Sequence, residues 1–143
     1  VEEPFIMRVT GINHITLAVS DVERSLAFYR DVLGCDVRAV WPEGAYLEAG
    51  SLWLCLSRDA QVRTAPHPDY THIAFSVAED DFTALSIRLM NECGLWKANG
   101  SEGASVYFLD PDGHKLEVHV GSLRTRLESY RTDASKGVEI LDL

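Results

Sequence analysis

Two short runs in this chain carry a histidine at the same place. GINHITLAV puts His14, and DYTHIAFSV puts His72, at the start of a strand-like apolar segment. Further on, HKLEVHV sets Glu117 between Leu116 and Val118, where a strand should be largely buried. A histidine among apolar neighbours is ordinarily a packed residue with one satisfied hydrogen bond. Two at equivalent positions of a duplicated plan are another matter, because pseudo-twofold packing brings equivalent strands together. A buried carboxylate in turn demands a partner, an arginine or a metal ion, since an unpaired buried charge is very costly. Two imidazoles and one carboxylate from three strands would leave coordination positions open, as a catalytic metal site requires. Nitrogen and oxygen donors without thiolate suit Mn2+, Fe2+, Co2+ or Zn2+, and ligand type alone does not choose among them. His119, two residues beyond Glu117 and so on the same strand face, is the rival ligand and takes a supporting role. His67, in a linker, and His114, in a turn, are expected to be solvated.

The elements that must position these residues occur twice. The first apolar run is followed by SDVERSLAFYRDVLG, which Ser20 or Asp21 can cap. Leu26, Tyr29 and Leu33 give this helix an apolar face and Gly34 ends it. Strand-like pieces DVRAV, AYLEAG and LWLCLS follow. In the second half THIAFSV leads into AEDDFTALSIRLMNECG, with Phe82, Leu85 and Leu89 at helical spacing and Gly94 as the stop. Then come LWKA, SVYFLD, the turn DPDG and KLEVHV. The linker RDAQVRTAPHPD separates the halves. The expectation is an α+β fold of two βαβββ modules, about residues 9–58 and 69–121, in a single domain spanning 7–131. A module of about 55 residues is marginal alone, so the two should share a core or a sheet, within the chain or across a dimer. LRTRLESYR has the spacing of a further helix, residues 132–143 read as a loosely tethered tail, and residues 1–6 read as a cloning remnant or an upstream extension. Aligning LWLCLS with HKLEVHV sets Cys55 opposite Glu117. Its neighbours Trp53, Leu54 and Leu56 make Cys55 a buried, inert thiol.

Composition narrows the function classes. The chain is 46% hydrophobic and 24% charged, which fits an ordinary globular domain, and no apolar run approaches the ~20 residues a membrane helix needs. The start lacks the pattern of a signal peptide. Three cysteines without a CxxC fit a reducing cytoplasm better than a disulfide framework. A net charge of −9 with no basic stripe argues against nucleic acid, and an anionic ligand would need cations placed locally.

The paired modules resemble the vicinal oxygen chelate superfamily, which includes glyoxalase I and extradiol dioxygenases. Within it GINHITLAV, GAYLEAGSLWLCLS, DYTHIAF and NGSEGASVYFLDPDGHKLEVHVGSLRTRL resemble the FosA-type fosfomycin-resistance glutathione transferases, over about Met7 to Arg131. The block SEGASVYFLDPDGH is the most specific part. The resemblance implies a metal-dependent transferase that adds the glutathione thiol to the oxirane ring of fosfomycin. It implies a domain-swapped homodimer whose shared sites take His14 from one chain and His72 and Glu117 from the other. Mn2+ on that triad would act as a Lewis acid. Thr16, Lys97, Ser101, Tyr107 and Arg126 would hold the phosphonate, with Thr16 on the strand face of His14. Trp41, Tyr46 and Ser57 would line the thiol, with Tyr46 steadying the thiolate, so Tyr46 and Thr16 are the catalytic candidates. Asn99, Ser101, Gly103 and Ser105 would supply a K+ site. Without the resemblance, Arg126 reads as a solvated helix residue and NGSEGAS as a flexible hairpin connection. Family members usually carry a basic residue where this chain has Gly100, which removes one cationic contribution. Three rival functions are weighed. One is hydrolysis of the same oxirane, whose water-activating carboxylate would fall at Gly44, with Glu43 adjacent. Another is transfer of a different thiol. The last is a non-enzymatic antibiotic-sequestering module, against which the histidine and glutamate triad argues.

Overall fold

The computed structural model describes residues 6–100 and 102–141. Residues 1–5, in the segment read as a remnant or extension, lie outside the described residues, as do 142 and 143 at the end of the tail. The elements run β1 (His14–Val19), α1 (Val22–Ala27) continued by a π-helical turn over Phe28–Val32, β2 (Asp36–Trp41), β3 (Gly44–Ala49) and β4 (Leu52–Arg58). They continue with β5 (Ile73–Ser76), α2 (Glu79–Glu92), β6 (Leu95–Lys97), β7 (Ala104–Leu109), β8 (Lys115–Val120) and α3 (Leu123–Thr132). The strands form two four-stranded sheets, ordered β1-β4-β3-β2 and β5-β8-β7-β6. In each sheet the first strand runs parallel to the fourth and the other pairs are antiparallel. The α+β architecture of paired βαβββ modules expected from the sequence is therefore present.

Register makes the duplication exact at the level of single residues. Cys55 is flanked by Thr16 and Tyr46, just as Glu117 is flanked by Ala74 and Tyr107. Alternation then assigns the faces. In β1, Leu17 and Val19 are buried while His14 and Thr16 are exposed, so one face joins the core and the other stays open.

Local chemistry fixes the helices. Asp21 is the cap of α1, accepting Arg24 N–H at 3.1 Å. Ser20 is not, because its hydroxyl donates to Asp112 at 2.6 Å. Gly34 ends the π-helical turn with φ +72°, a left-handed conformation that glycine adopts without a Cβ clash. Among the described residues no helix is long and apolar enough to cross a membrane.

One core serves both modules. Leu17, Val19, Leu54 and Leu56 of the first sheet join Val106, Phe108, Leu116 and Val118 of the second, with Val22, Tyr29 and Leu89 from the helices. The modules thus share a core and not a sheet. Polar contacts around the DPDG turn clasp them on this side. The Asp112 carboxylate accepts from the Ser20 backbone and hydroxyl and meets Arg24 at 3.3 Å. Tyr29 donates to Asp110 at 2.6 Å. His114, expected to be solvated, is buried instead: Nε2 donates to the Ala18 carbonyl of the other module at 2.7 Å, and Nδ1 accepts from Arg63. A turn residue in sequence becomes interior because the other module closes over it.

Burial pushes the Asp110 carboxyl above the usual carboxylate range, and the hydrogen bond from Tyr29 pulls it back. Since the folded pKa lies above the unfolded one, Asp110's contribution to stability is complete below the unfolded value and is lost as pH rises through the folded one. Tyr29→Phe removes the opposing donor. It is expected to cost about 1–3 kcal/mol by denaturant titration at neutral pH. The same substitution should move the Asp110 titration further up, read by carboxyl carbon NMR. An unchanged midpoint and titration would show that the Tyr29 hydroxyl carries none of the clasp.

Candidate metal centre

β8 sends Leu116 and Val118 into the core and Glu117 to the other face, yet Glu117 is only 5% exposed. Its Oε1 lies 3.1 Å from His72 Nε2, and its Oε2 accepts the Ser105 hydroxyl at 2.6 Å. His72 Nδ1 is 2.9 Å from the Tyr70 carbonyl, an acceptor, so Nδ1 carries the hydrogen and Nε2 presents its lone pair. Two acceptors then face one another across 3.1 Å, a contact that becomes favourable with a shared proton or a metal cation between them. His14 repeats the arrangement. Its Nδ1 lies 2.7 Å from Asn13 Oδ1, which leaves Nε2 as the available donor atom, while its ring leans on Trp53 at 4.4 Å between centroids. Second-sphere acceptors of this kind orient metal-binding imidazoles. The donor set therefore fits a divalent ion.

Around His72 stands an aromatic and cationic wall. Tyr70 stacks on the imidazole at 5.0 Å and 13°. The Lys97 ammonium sits 4.7 Å from the Tyr70 ring centroid and 4.8 Å from that of Tyr107, and donates to the Tyr70 hydroxyl. That hydrogen bond holds the Lys97 pKa above its ordinary value. Lys97 pairs with Tyr107, and Tyr107 with Glu117, so β6, β7 and β8 set cation, phenol and carboxylate side by side. Asn99 Nδ2 donates to the Gly103 carbonyl at 2.9 Å and curls the loop, while the Ser105 hydroxyl is engaged with Glu117 and His119. Ser101 lies outside the described residues. Arg126, near the start of α3, meets Glu102 at 3.2 Å. Burial works against its charge, but hydrogen bonds with Glu102 and Tyr130 outweigh it and raise its pKa.

The open face of the first sheet is different. Trp41 and Tyr46 meet edge to face at 4.7 Å, Tyr46 and Trp53 at 5.3 Å, and all three are exposed. Thr16 and Ser57 are exposed on the same sheet, and Cys55 is buried as expected. Gly44 has no room for a side chain, since a Cβ there would meet Leu56 O at 2.5 Å and the Trp41 ring at 2.7 Å. Glu43 is an exposed turn residue facing Arg58 at 3.4 Å.

The single chain thus brings His72, Glu117, Lys97, Tyr107 and Ser105 together on one sheet, and His14, Trp41 and Tyr46 on the other. Among the described residues no group of three or more His, Cys, Asp or Glu gathers to hold a metal, so His14 does not join His72 and Glu117 within one chain. Sequence reasoning missed Tyr70, Trp53 and Glu102. Tyr70 and Trp53 could have been found as aromatics flanking marked positions, and Glu102 as an acid inside the loop assigned to K+.

Comparison with known proteins gives a consistent picture. Residues 11–118 match the family model of the Glyoxalase/Bleomycin resistance protein/Dioxygenase superfamily. The glutathione transferase FosA of Serratia marcescens is 53% identical over 132 residues, covering 90% of this chain and 93% of that one. The metallothiol transferase FosB of Staphylococcus epidermidis is 41% identical over 128 residues, covering 86% and 92%. A crystal structure of the fosfomycin resistance protein FosX from Listeria monocytogenes, complexed with Mn(II) and sulfate ion, aligns with a TM-score of 0.71 at 25% identity. It covers 84% of this chain and 99% of that one.

A carboxylate kept for a ligand differs from one kept for the fold. Glu117→Gln retains the shape and an acceptor for Ser105, so the metal-free protein should stay within about 1 kcal/mol of the parent, a shift of about 2–4 °C in melting temperature. Mn2+ binding, titrated by electron paramagnetic resonance, should fall at least about tenfold. A large loss of metal-free stability would mark Glu117 as structural.

Proposed function

The chain belongs to the glyoxalase/bleomycin resistance protein/dioxygenase superfamily and, within it, to the Fos family, and from that membership we propose that it is a metal-dependent transferase adding the glutathione thiol to the oxirane ring of fosfomycin. The observation that carries the reading is the His72 and Glu117 pair, oriented as two acceptors toward a shared cation. We take that cation to be Mn2+, the ion bound by the FosX protein of the solved complex. When bound, such an ion supplies Lewis acidity toward the oxirane oxygen.

The chain's own residues supply the rest. Lys97 and Arg126 offer charge-assisted hydrogen bonds to a phosphonate, and the hydroxyls of Thr16, Ser101 and Tyr107 add neutral donors. These two cations answer the unfavourable net charge of −9. Tyr46 donates its phenolic hydrogen to the thiolate sulfur, with Trp41 and Ser57 lining its approach. The sulfur bonds to an oxirane carbon as the C–O bond breaks, the freed oxygen gains a proton, and the thiol has lost one, so the step is redox neutral. The Asn99–Gly103 hydrogen bond supports a K+ site in that loop, for which Asn99, Ser101, Gly103 and Ser105 are the proposed suppliers.

Assembly completes the site. We place His14 of one chain opposite His72 and Glu117 of a second in a domain-swapped homodimer. The exposed Trp41, Tyr46 and Trp53 support this, because a contiguous aromatic face of that kind is ordinarily covered. Three cysteines without a disulfide support a reducing cytoplasm. Gly44, with no space for a carboxylate, favours thiol transfer over hydrolysis.

Two experiments test the reading. Protein incubated with Mn2+, K+ and fosfomycin is given glutathione, bacillithiol, cysteine or water alone, and products are weighed by mass spectrometry. The glutathione adduct is expected to dominate; a diol formed without thiol would make the protein a hydrolase, and preference for another adduct would change the co-substrate. Separately, mixing inactive His14→Ala and Glu117→Ala chains should restore one intact site per mixed dimer. A mixture as inactive as either parent variant would rule out sites shared between chains.

A further inference from the structure

The carboxylate that faces His72 is not held by its own strand alone. Ser105 of β7 is paired in register with His119 of β8 and gives its single hydroxyl proton to Glu117 Oε2 at 2.6 Å. The same hydroxyl oxygen lies 2.6 Å from His119 Nδ1, so Nδ1 is the donor there and Ser105 accepts. The opposite edge of the ring, Nε2, faces Glu102 Oε1 at 3.6 Å, an ion-pair contact made by the imidazolium form, which carries hydrogen on both nitrogens. That same carboxylate oxygen takes Arg126 Nε–H at 3.2 Å. A continuous line therefore runs from Glu117 through Ser105, His119 and Glu102 to Arg126. It is largely withdrawn from water: the side chains of Glu117, His119 and Glu102 are 7%, 14% and 19% exposed.

The ring is also wedged in place. A Cβ on Gly103 would sit 2.8 Å from His119 Cε1, and one on Gly121 would sit 2.6 Å from Nε2 and 3.2 Å from Glu102 Oε1. Both glycines have positive φ, +78° and +146°. Two backbone segments thus pack directly on the imidazole at positions where any side chain would displace it. Such crowding is what a ring needs if it is to transmit orientation instead of adapting.

We propose that His119 is a positioning residue with two separable arms. Through Nδ1 and Ser105 it aims Glu117 at the metal. Through Nε2 and Glu102 it sets Arg126 for the anion. The inference rests on the transferase reading given above and deepens it by tying metal affinity and anion binding to one imidazole.

The two nitrogens can be removed one at a time, because an asparagine amide nitrogen approximates Nδ1 and a glutamine amide nitrogen approximates Nε2. Mn2+ affinity is measured on metal-free protein by electron paramagnetic resonance, and KM for fosfomycin at saturating Mn2+ and fixed K+. His119→Gln should weaken Mn2+ binding about 10–100-fold, as loss of a second-sphere partner does, and change KM by less than about threefold. His119→Asn should do the reverse, holding Mn2+ affinity within about threefold and raising KM about tenfold, the loss of one charge-assisted contact. If either variant fails to fold, Ser105→Ala, read by Mn2+ affinity alone, repeats the metal arm and Glu102→Gln the anion arm. Parent-like Mn2+ affinity in His119→Gln, or both parameters moving together in both variants, would overturn the two-arm assignment. A parent protein that binds no Mn2+ at all would instead sink the transferase reading.

Discussion

Two hydrogen-bond acceptors pointed at each other are tolerated only with positive charge between them, and the Glu117–His72 pair is such an arrangement. Both groups are held in it from behind. Tyr70 holds the far side of the imidazole by its carbonyl and stacks on its ring, while Ser105 holds the far oxygen of the carboxylate. The core supplies the rest of the constraint, since Leu116 and Val118 anchor β8 on either side of Glu117. In a fold stabilised only by apolar burial, a carboxylate at that position would be a net cost. Its retention, with fixed orientation, is a statement about what the site is for.

Duplication gives the molecule the same frame twice and fills it differently. Tyr46 and Tyr107 occupy equivalent register positions, yet one stands among indoles and the other beside an ammonium group and a carboxylate. Cys55 and Glu117 are equivalent too, and the first is a small buried thiol where the second carries charge. The clasp around Asp110, Asp112 and His114 holds the two modules of a chain to one another. A fixed angle between modules is what lets side chains on separate sheets serve defined places in an assembled site.

The strands and helices were legible because apolar alternation and helical spacing survive even in short segments. His14, His72 and Glu117 stood out because a polar residue in an apolar run needs a reason. Ser20 illustrates what sequence cannot decide: it and Asp21 are equally good caps on paper, and only the arrival of Asp112 from a distant turn takes Ser20 away. His114 illustrates the same limit more sharply, since a DPDG turn reads as solvent-facing until another module covers it. Tyr70 and Glu102 escaped because their importance lies in what they touch, the imidazole and the guanidinium, and neither contact has a periodicity. The roles of Trp41, Ser57 and Arg126 came from family resemblance and not from spacing.

The aromatic face of the first sheet and the charged face of the second are built by non-overlapping sets of residues. On the assignment proposed, the sulfur donor is met by Trp41, Tyr46 and Ser57, and the metal and anion by Glu117, Ser105 and Lys97. The two sets still touch at one place, where Trp53 meets Tyr46 on one side and carries the His14 ring on the other. Selection for a new cellular thiol is therefore least constrained at Trp41 and Ser57 and most constrained where Tyr46 reaches His14 through Trp53, and the rate at which each position accumulates change becomes a property of the fold itself.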